Sequence, residues 1–253
     1  MLNFRNTSLV FILLAVLLWR TNLRVELLAI LGLLYLFILF LGSYRIGSQF
    51  YMPVICTGLP TEKKIAISFD DGPAASFSPE ILDILQHKQV PAAFFCIGQC
   101  IIGREELVLR IHAEGHLVGN HSDSHAPLFD LYSAKRMGEE LATMNAKVEA
   151  VLQLRPRLFR PPYGVTNPNL AKAVKRSGMV AVGWNIRSMD TVAHDEKKLF
   201  EKLMRSLQPG AIVLFHDTAA ITVKLLPGFI DAVRSQGFAI LRLDELINEQ
   251  PYA

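Results

Sequence analysis

Seven short apolar runs recur through the chain after its first sixty residues: KIAISF (64–69), AAFF (92–95), HLVG (116–119), RLF (157–159), MVAVGW (179–184), AIVLF (211–215) and FAILRL (238–243). Runs that are apolar throughout read as strands buried on both faces, the pattern of a parallel sheet. Amphipathic stretches lie between them. SPEILDILQHK (78–88) has Ser78 as its expected N-cap and Pro79 in the first turn, and REELVLRIHAEG (104–115) is closed by Gly115. SAKRMGEELATMNAKVEAVLQL (133–154) and DEKKLFEKLMRSL (195–207) complete the set. About seven strand–helix units predict an α/β fold, a closed or nearly closed barrel of parallel strands covered by helices.

The first fifty residues follow another rule. From Val25 to Tyr44 the chain carries Glu26 as its only charge, and about 20 apolar residues suffice for a helix to cross a bilayer. Ser8–Trp19 is apolar but shorter, ends at Arg20 and lacks a small-residue cleavage site. It reads as a short first span or an embedded segment. Arg20 and Arg24, between the two runs, are expected on the cytoplasmic side, which sends everything after Arg45 outside. The predicted organisation is a membrane anchor over residues 1–50, with apolar helices at 8–19 and 25–44, and a catalytic domain over 60–248.

The net charge of +3 comes entirely from this N-terminal part, which holds Arg5, Arg20, Arg24 and Arg45 against Glu26; the rest is neutral. The chain has no basic run of the kind that binds nucleic acid, and no protein partner is evident. Cys56, Cys96 and Cys100 include no CxxC pair and receive no function; Cys96, in AAFFCIG, is expected to be a buried thiol.

Polar residues gather where the apolar runs end. Asp70 and Asp71 follow the first; Asn120, His121 and His125 the third; Arg160 the fourth; Asp190 the fifth; His216 and Asp217 the sixth. In parallel barrels the strand ends and the loops after them carry the chemistry. In HSDSH (121–125) two imidazoles four apart are expected on one face of a helical turn, and with Asp71 they make a two-nitrogen, one-oxygen ligand set with a fourth position open. In RPPYG (160–164) Arg160 can grip a carboxylate by a two-pronged contact. His216 can transfer protons near neutrality and Asp190 can orient its ring. This set suits hydrolysis of an acyl bond by metal-activated water. No GxSxG motif is present.

SFDDGP, HSDSH, RPPYG, WNIRSMD (184–190) and LFH (214–216), in that order, resemble the five motifs of the polysaccharide deacetylases of carbohydrate esterase family four, the NodB-homology domain. The resemblance runs from Lys63 to Leu246 and implies a distorted (β/α) barrel. By position it implies Asp70 as general base, Asp71, His121 and His125 as ligands of zinc or a similar divalent ion, and Arg160 as the group orienting Asp70. His216 is then the general acid held by Asp190, the backbone N–H of Tyr163 an oxyanion donor, and Leu214 with the Tyr163 ring the acetyl pocket. The fourth motif departs from the family pattern at Arg187 and Thr191, which alters the wall beside the substrate. The expected function is removal of N-acetyl groups from an N-acetylglucosamine-containing glycan, peptidoglycan or chitin-like, at the outer side of the cell membrane. The alternatives are a deacylase or deformylase of a lipid-linked sugar, an O-acetyl esterase, and a non-catalytic glycan-binding protein. His87, His112, His116 and His194 are read as surface or core residues.

Overall fold

A computed structural model describes residues 2–253. Strands β1 (Lys64–Asp70), β2 (Ala93–Cys96), β3 (Leu117–Asn120), β4 (Leu158–Phe159), β5 (Val180–Ala181), β6 (Ile186–Arg187), β7 (Ile212–His216) and β8 (Ala239–Ile240) are all parallel to their neighbours. The sheet runs β5-β4-β3-β2-β1-β7-β6, with β8 on the start of β1. Helices α3 (Ser78–Lys88), α4 (Gly98–Ile101), α5 (Glu105–Ala113), α6 (Ala134–Leu152), α7 (Pro168–Ser177), α8 (Glu196–Ser206), α9 (Ala220–Ser235) and α10 (Leu243–Ile247) cover it.

The predicted barrel is therefore a curled sheet whose edges, β5 and β6, do not pair. Residues 55–57 bridge that gap: Ile55 pairs with Val182 beyond β5, and Thr57 pairs with Ala211 at the start of β7. β6 arises from the fourth-motif region, which carried no strand prediction. MVAVGW contributes only Val180 and Ala181, and FAILRL only Ala239 and Ile240 before Leu243 opens α10. α3 has the predicted limits, but Phe77 is its cap. The Ser78 hydroxyl instead accepts from the Ala74 N–H and donates to Asp217 Oδ2 at 2.5 Å.

Alternation along β1 divides the core. Ile65, Ile67 and Phe69 face the helices and pack with Leu82, Leu85, Phe215, Phe229 and Ile230. Phe69 stacks on Phe94 with ring centroids 4.9 Å apart. Each such buried aromatic contributes on the order of 1.5–3 kcal/mol, enough to fix the register. Ala66, Ser68 and Asp70 point to the inner face, where small residues leave room for the Arg160 side chain, which is fully buried.

Before the sheet lie α1 (Phe4–Leu18) and α2 (Arg24–Tyr44). They form an antiparallel hairpin in which Ser8 Oγ and Tyr35 Oη share a 2.7 Å hydrogen bond and Phe11 stacks on Tyr35. At about 1.5 Å per residue the 21-residue α2 spans roughly 31 Å, and its length and composition suffice to cross a membrane. α1 is shorter. The Phe4 N–H donates to the Phe50 carbonyl, and Phe50 packs on Gly42. The start of α1 and the end of α2 thus lie together on the side of the sheet domain.

Candidate active site

β1 delivers Asp70 and Asp71 side by side, and the backbone then separates them. Asp70, still in the strand, turns into the barrel beside Arg160, whereas Asp71 sits at φ 76° and turns out to the mouth. The next peptide, Gly72–Pro73, is cis. Gly72 is required because any Cβ there would strike the Asp217 carboxyl.

Arg160 fills the barrel centre. Its Nη1 donates to Asp70 Oδ1 (2.7 Å) and Ser68 Oγ (2.9 Å), its Nε to the Val182 carbonyl and its Nη2 to the Gly183 carbonyl. The guanidinium lies 4.0 Å from the Phe95 ring centre. The predicted two-pronged grip is not what forms: one N–H reaches Asp70 and the others hold β1 and the end of β5. Burial lowers the Arg160 pKa, opposed by Asp70, and the group stays cationic because a guanidinium starts far above neutrality.

His121 and His125 do not lie on a helical turn. The segment after β3 is a loop in which Ser122 and His125 adopt φ of 64° and 46°. The Asn120 carboxamide Oδ1 accepts the Ser122 N–H and the Ser122 hydroxyl accepts the His125 N–H. These local bonds, not helical spacing, bring the rings together. His121 Nδ1 contacts the Arg160 carbonyl at 2.8 Å, which as a donor leaves Nε2 with a free lone pair. His121 Nε2 and His125 Nε2 lie 3.5 and 3.6 Å from Asp71 Oδ1, and the three ligand atoms all fall within 4.8 Å of one another. Burial opposes ionisation of Asp71, but His121, His125 and His216 hold its pKa down at about 2. A carboxylate ionised at neutral pH and two convergent imidazoles fit a small divalent cation of the zinc type.

Opposite them, β7 ends in His216. Its Nδ1 donates to Asp190 Oδ1 at 2.7 Å, and its Nε2 lies 4.0 Å from Asp71 Oδ2. Burial lowers the His216 pKa, but Asp190, with help from Asp70 and Asp71, raises it above the ordinary value. Asp190 in turn accepts from Ser188 Oγ, the Thr191 N–H, the His216 N–H and Thr222 Oγ1. Thr222, fully buried in the first turn of α9, had no signal in the sequence, being 32 residues from Asp190.

Tyr163 adopts φ 58°, is 44% exposed, and its hydroxyl donates to the His125 carbonyl with the rings 4.5 Å apart. Gly164 follows at φ 72° against Trp184, where a Cβ would lie 2.5 Å from the indole. Leu214 is buried two residues before His216, on the same strand face. Arg187 is exposed, its guanidinium 5.6 Å from the Trp184 ring centre. Asp217 is buried with Oδ1 unpartnered, and burial, joined by Asp71, raises its pKa to about 7 despite the Ser78 hydrogen bond. The sequence put it at the strand end without a role; here it packs behind the Asp71–Gly72 turn. The cysteines are free, with Cys96 buried as expected, and His116 is a core residue.

Metal-ligand candidates at the ends of parallel strands, flanked by a buried Arg–Asp pair and an Asp–His pair, define a hydrolase-type site on a curled α/β sheet. The family model for polysaccharide deacetylase matches residues 57–182. A chitooligosaccharide deacetylase from Bradyrhizobium is 33% identical over 198 residues, 73% of this chain and 90% of that protein. The peptidoglycan N-acetylglucosamine deacetylase PgdA of Listeria monocytogenes is 33% identical over 190 residues, 75% of this chain. This chain spans about two-fifths of that relative, 40% of its length. The solved structure of Bacillus subtilis PdaA, a family 4 carbohydrate esterase, superposes with a TM-score of 0.70 at 28% identity, covering 76% of this chain and 84% of that one. The chain belongs to the polysaccharide deacetylase family.

Proposed function

We propose that the protein is a metal-dependent N-deacetylase of an N-acetylglucosamine-containing glycan, peptidoglycan or chitin-like, carried by a membrane anchor over residues 1–50 with its catalytic domain, residues 60–248, on the extracytoplasmic side. The observation that carries this reading is the convergence of Asp71, His121 and His125 between Asp70 and His216 at one mouth. A divalent cation, zinc by its donor set, would supply Lewis acidity toward the attacking water and the acyl carbonyl.

The chain's own groups do the rest. Asp70 uses Oδ1 to hold Arg160 and keeps Oδ2, 3.8 Å from His121 Nε2, free to take the proton of the attacking water. The Tyr163 backbone N–H is assigned to the developing oxyanion, and Leu214 with the Tyr163 ring lines the acyl methyl. His216, its Nδ1 proton held by Asp190, presents Nε2 toward the mouth and gives a proton to the leaving amine. The aliphatic length of α2 and the Arg20 and Arg24 charges at the hairpin turn support the anchor and its direction.

The test is acetate release from N-acetylglucosamine oligomers and from peptidoglycan by the full chain. Chelation is expected to abolish turnover and added zinc to restore it. Full activity of Asp71→Ala or of the chelated protein overturns the metal assignment. Ester hydrolysis without amide hydrolysis would favour the O-acetyl esterase alternative.

A further inference from the structure

The end of α2 is not joined to the sheet domain by a free linker. Ser43 donates its hydroxyl to the Thr166 carbonyl and accepts the Thr166 N–H, while Thr166 Oγ1 reaches the Gly42 carbonyl. Tyr51 returns along the helix to donate to the Leu39 carbonyl. Thr166 is three residues after Tyr163, whose ring packs on His125. With about 3.8 Å between successive Cα atoms, the Tyr163 backbone lies within roughly 11 Å of Thr166, the residue that grips the end of α2.

A second feature stands beside the first. Asn167 Nδ2 donates to the Asp130 carbonyl and Asn169 Nδ2 to the Tyr132 carbonyl. These bonds fix the turn at 127–132, directly after the histidine loop, against the segment that grips α2. On this turn Leu128 is 63% and Leu131 78% exposed, as bare as the exposed apolar positions of α2 such as Leu33 at 69%. The Asp130 carboxyl between them turns inward, its Oδ1 buried, while Phe129 anchors the turn in the core. Exposed leucines on a turn braced from within, next to a candidate span, are placed as interfacial residues are.

We infer that Leu128 and Leu131 dip into the outer leaflet as a second membrane contact beside the helical hairpin. The mouth of the site is thereby held at headgroup level, and the acylated amino sugar it takes is one attached to the bilayer. This rests on the anchor and deacylase readings above, and it selects a lipid-linked glycan over a distant polymer. Rigidity is the physical reason: a site three residues from the Thr166 clamp on α2 cannot sweep through a thick wall.

The experiment uses the full chain in nanodiscs of phosphatidylethanolamine and phosphatidylglycerol with brominated acyl chains. In a Trp19→Phe background, with the emission of the remaining Trp184 subtracted, Leu131→Trp emission is expected to fall at least about twofold, as for a residue at the acyl boundary, while Leu59→Trp, before β1 at the other end of the strands, stays unquenched. Equal quenching at both positions overturns the docking. In the same discs, the Leu128→Asp/Leu131→Asp pair is expected to lose about tenfold or more on a polyprenyl-linked N-acetylglucosamine, because carboxylates resist the interface, with unchanged turnover of a soluble oligomer. Parallel losses on both substrates overturn the substrate assignment. Absence of turnover on every substrate strikes the deacylase reading alone, since the quenching result decides the docking independently.

Discussion

Asp70 and Asp190 are both buried carboxylates at the mouth, yet their surroundings differ in kind. Asp190 accepts five hydrogen bonds, from Ser188 Oγ, Thr191 N, His216 N, His216 Nδ1 and Thr222 Oγ1. Burial raises its pKa, but the His216 and Thr222 bonds outweigh that and hold it below the usual range. Asp70 is held by Arg160 through one oxygen, with the other facing His121. A saturated carboxylate has no lone pair to offer a proton and can only orient; one with a free oxygen can act as a base. The same residue type is thus fitted by its neighbours for opposite tasks.

Asp70→Asn keeps the shape and removes the basic oxygen, so kcat is expected to fall about 10³-fold or more, with bound metal unchanged by elemental analysis. A fall of less than tenfold would assign the base elsewhere. Next in size, Arg160→Met leaves the Asp70 charge buried without its cation, and urea unfolding is expected to show a loss of about 3–5 kcal/mol.

His116, buried in the core away from both carboxylates, carries its own acid sensitivity. Burial depresses its pKa to about 4, Glu114 opposing, so below its unfolded value of about 6.5 the unfolded chain binds a proton that the fold refuses. Its contribution is full above pH 6.5 and is lost as pH falls toward 4, up to about 3 kcal/mol. Unfolding at pH 7 and pH 4.5 measures it. His116→Asn, which can still accept the Ala92 N–H, is expected to flatten the difference. The smallest effect is expected at Thr222→Val. Loss of one hydrogen bond to Asp190 costs about 1 kcal/mol in stability and a few-fold in kcat, while Asp190→Asn costs about 100-fold in kcat.

Much of the site was legible because strand ends in a parallel sheet converge. Asp70, Asp71, His121, His125, Arg160 and His216 each follow an apolar run, and the fold need only bring the runs into register. The local geometry was not legible in the same way. The four-residue spacing of His121 and His125 suggested a helical turn, but the Asn120 and Ser122 side chains capture the backbone first and make a left-handed loop. Such side-chain capture competes with helix wherever Asn and Ser precede it. Arg160 was expected to grip one carboxylate with two prongs; inside the barrel, the carbonyls of Val182 and Gly183 claim its other N–H groups. α9 escaped the sequence reading because Pro227 and Gly228 interrupt its pattern. Burial of Leu225, Leu226, Phe229 and Ile230 against the sheet outweighs the lost helix bond.

From the sequence alone came the α/β class, the apolar hairpin and the residue types of the site, because periodicity and strand-end placement are local properties of a chain. Tertiary structure alone decided which oxygen of Asp70 is free, that Thr222 secures Asp190, that residues 55–57 cross between the unpaired sheet edges from the end of β5 to the start of β7, and that Thr166 ties the mouth to the end of α2. Each of those depends on groups far apart in the chain meeting at a few ångströms, and no local pattern records a distance.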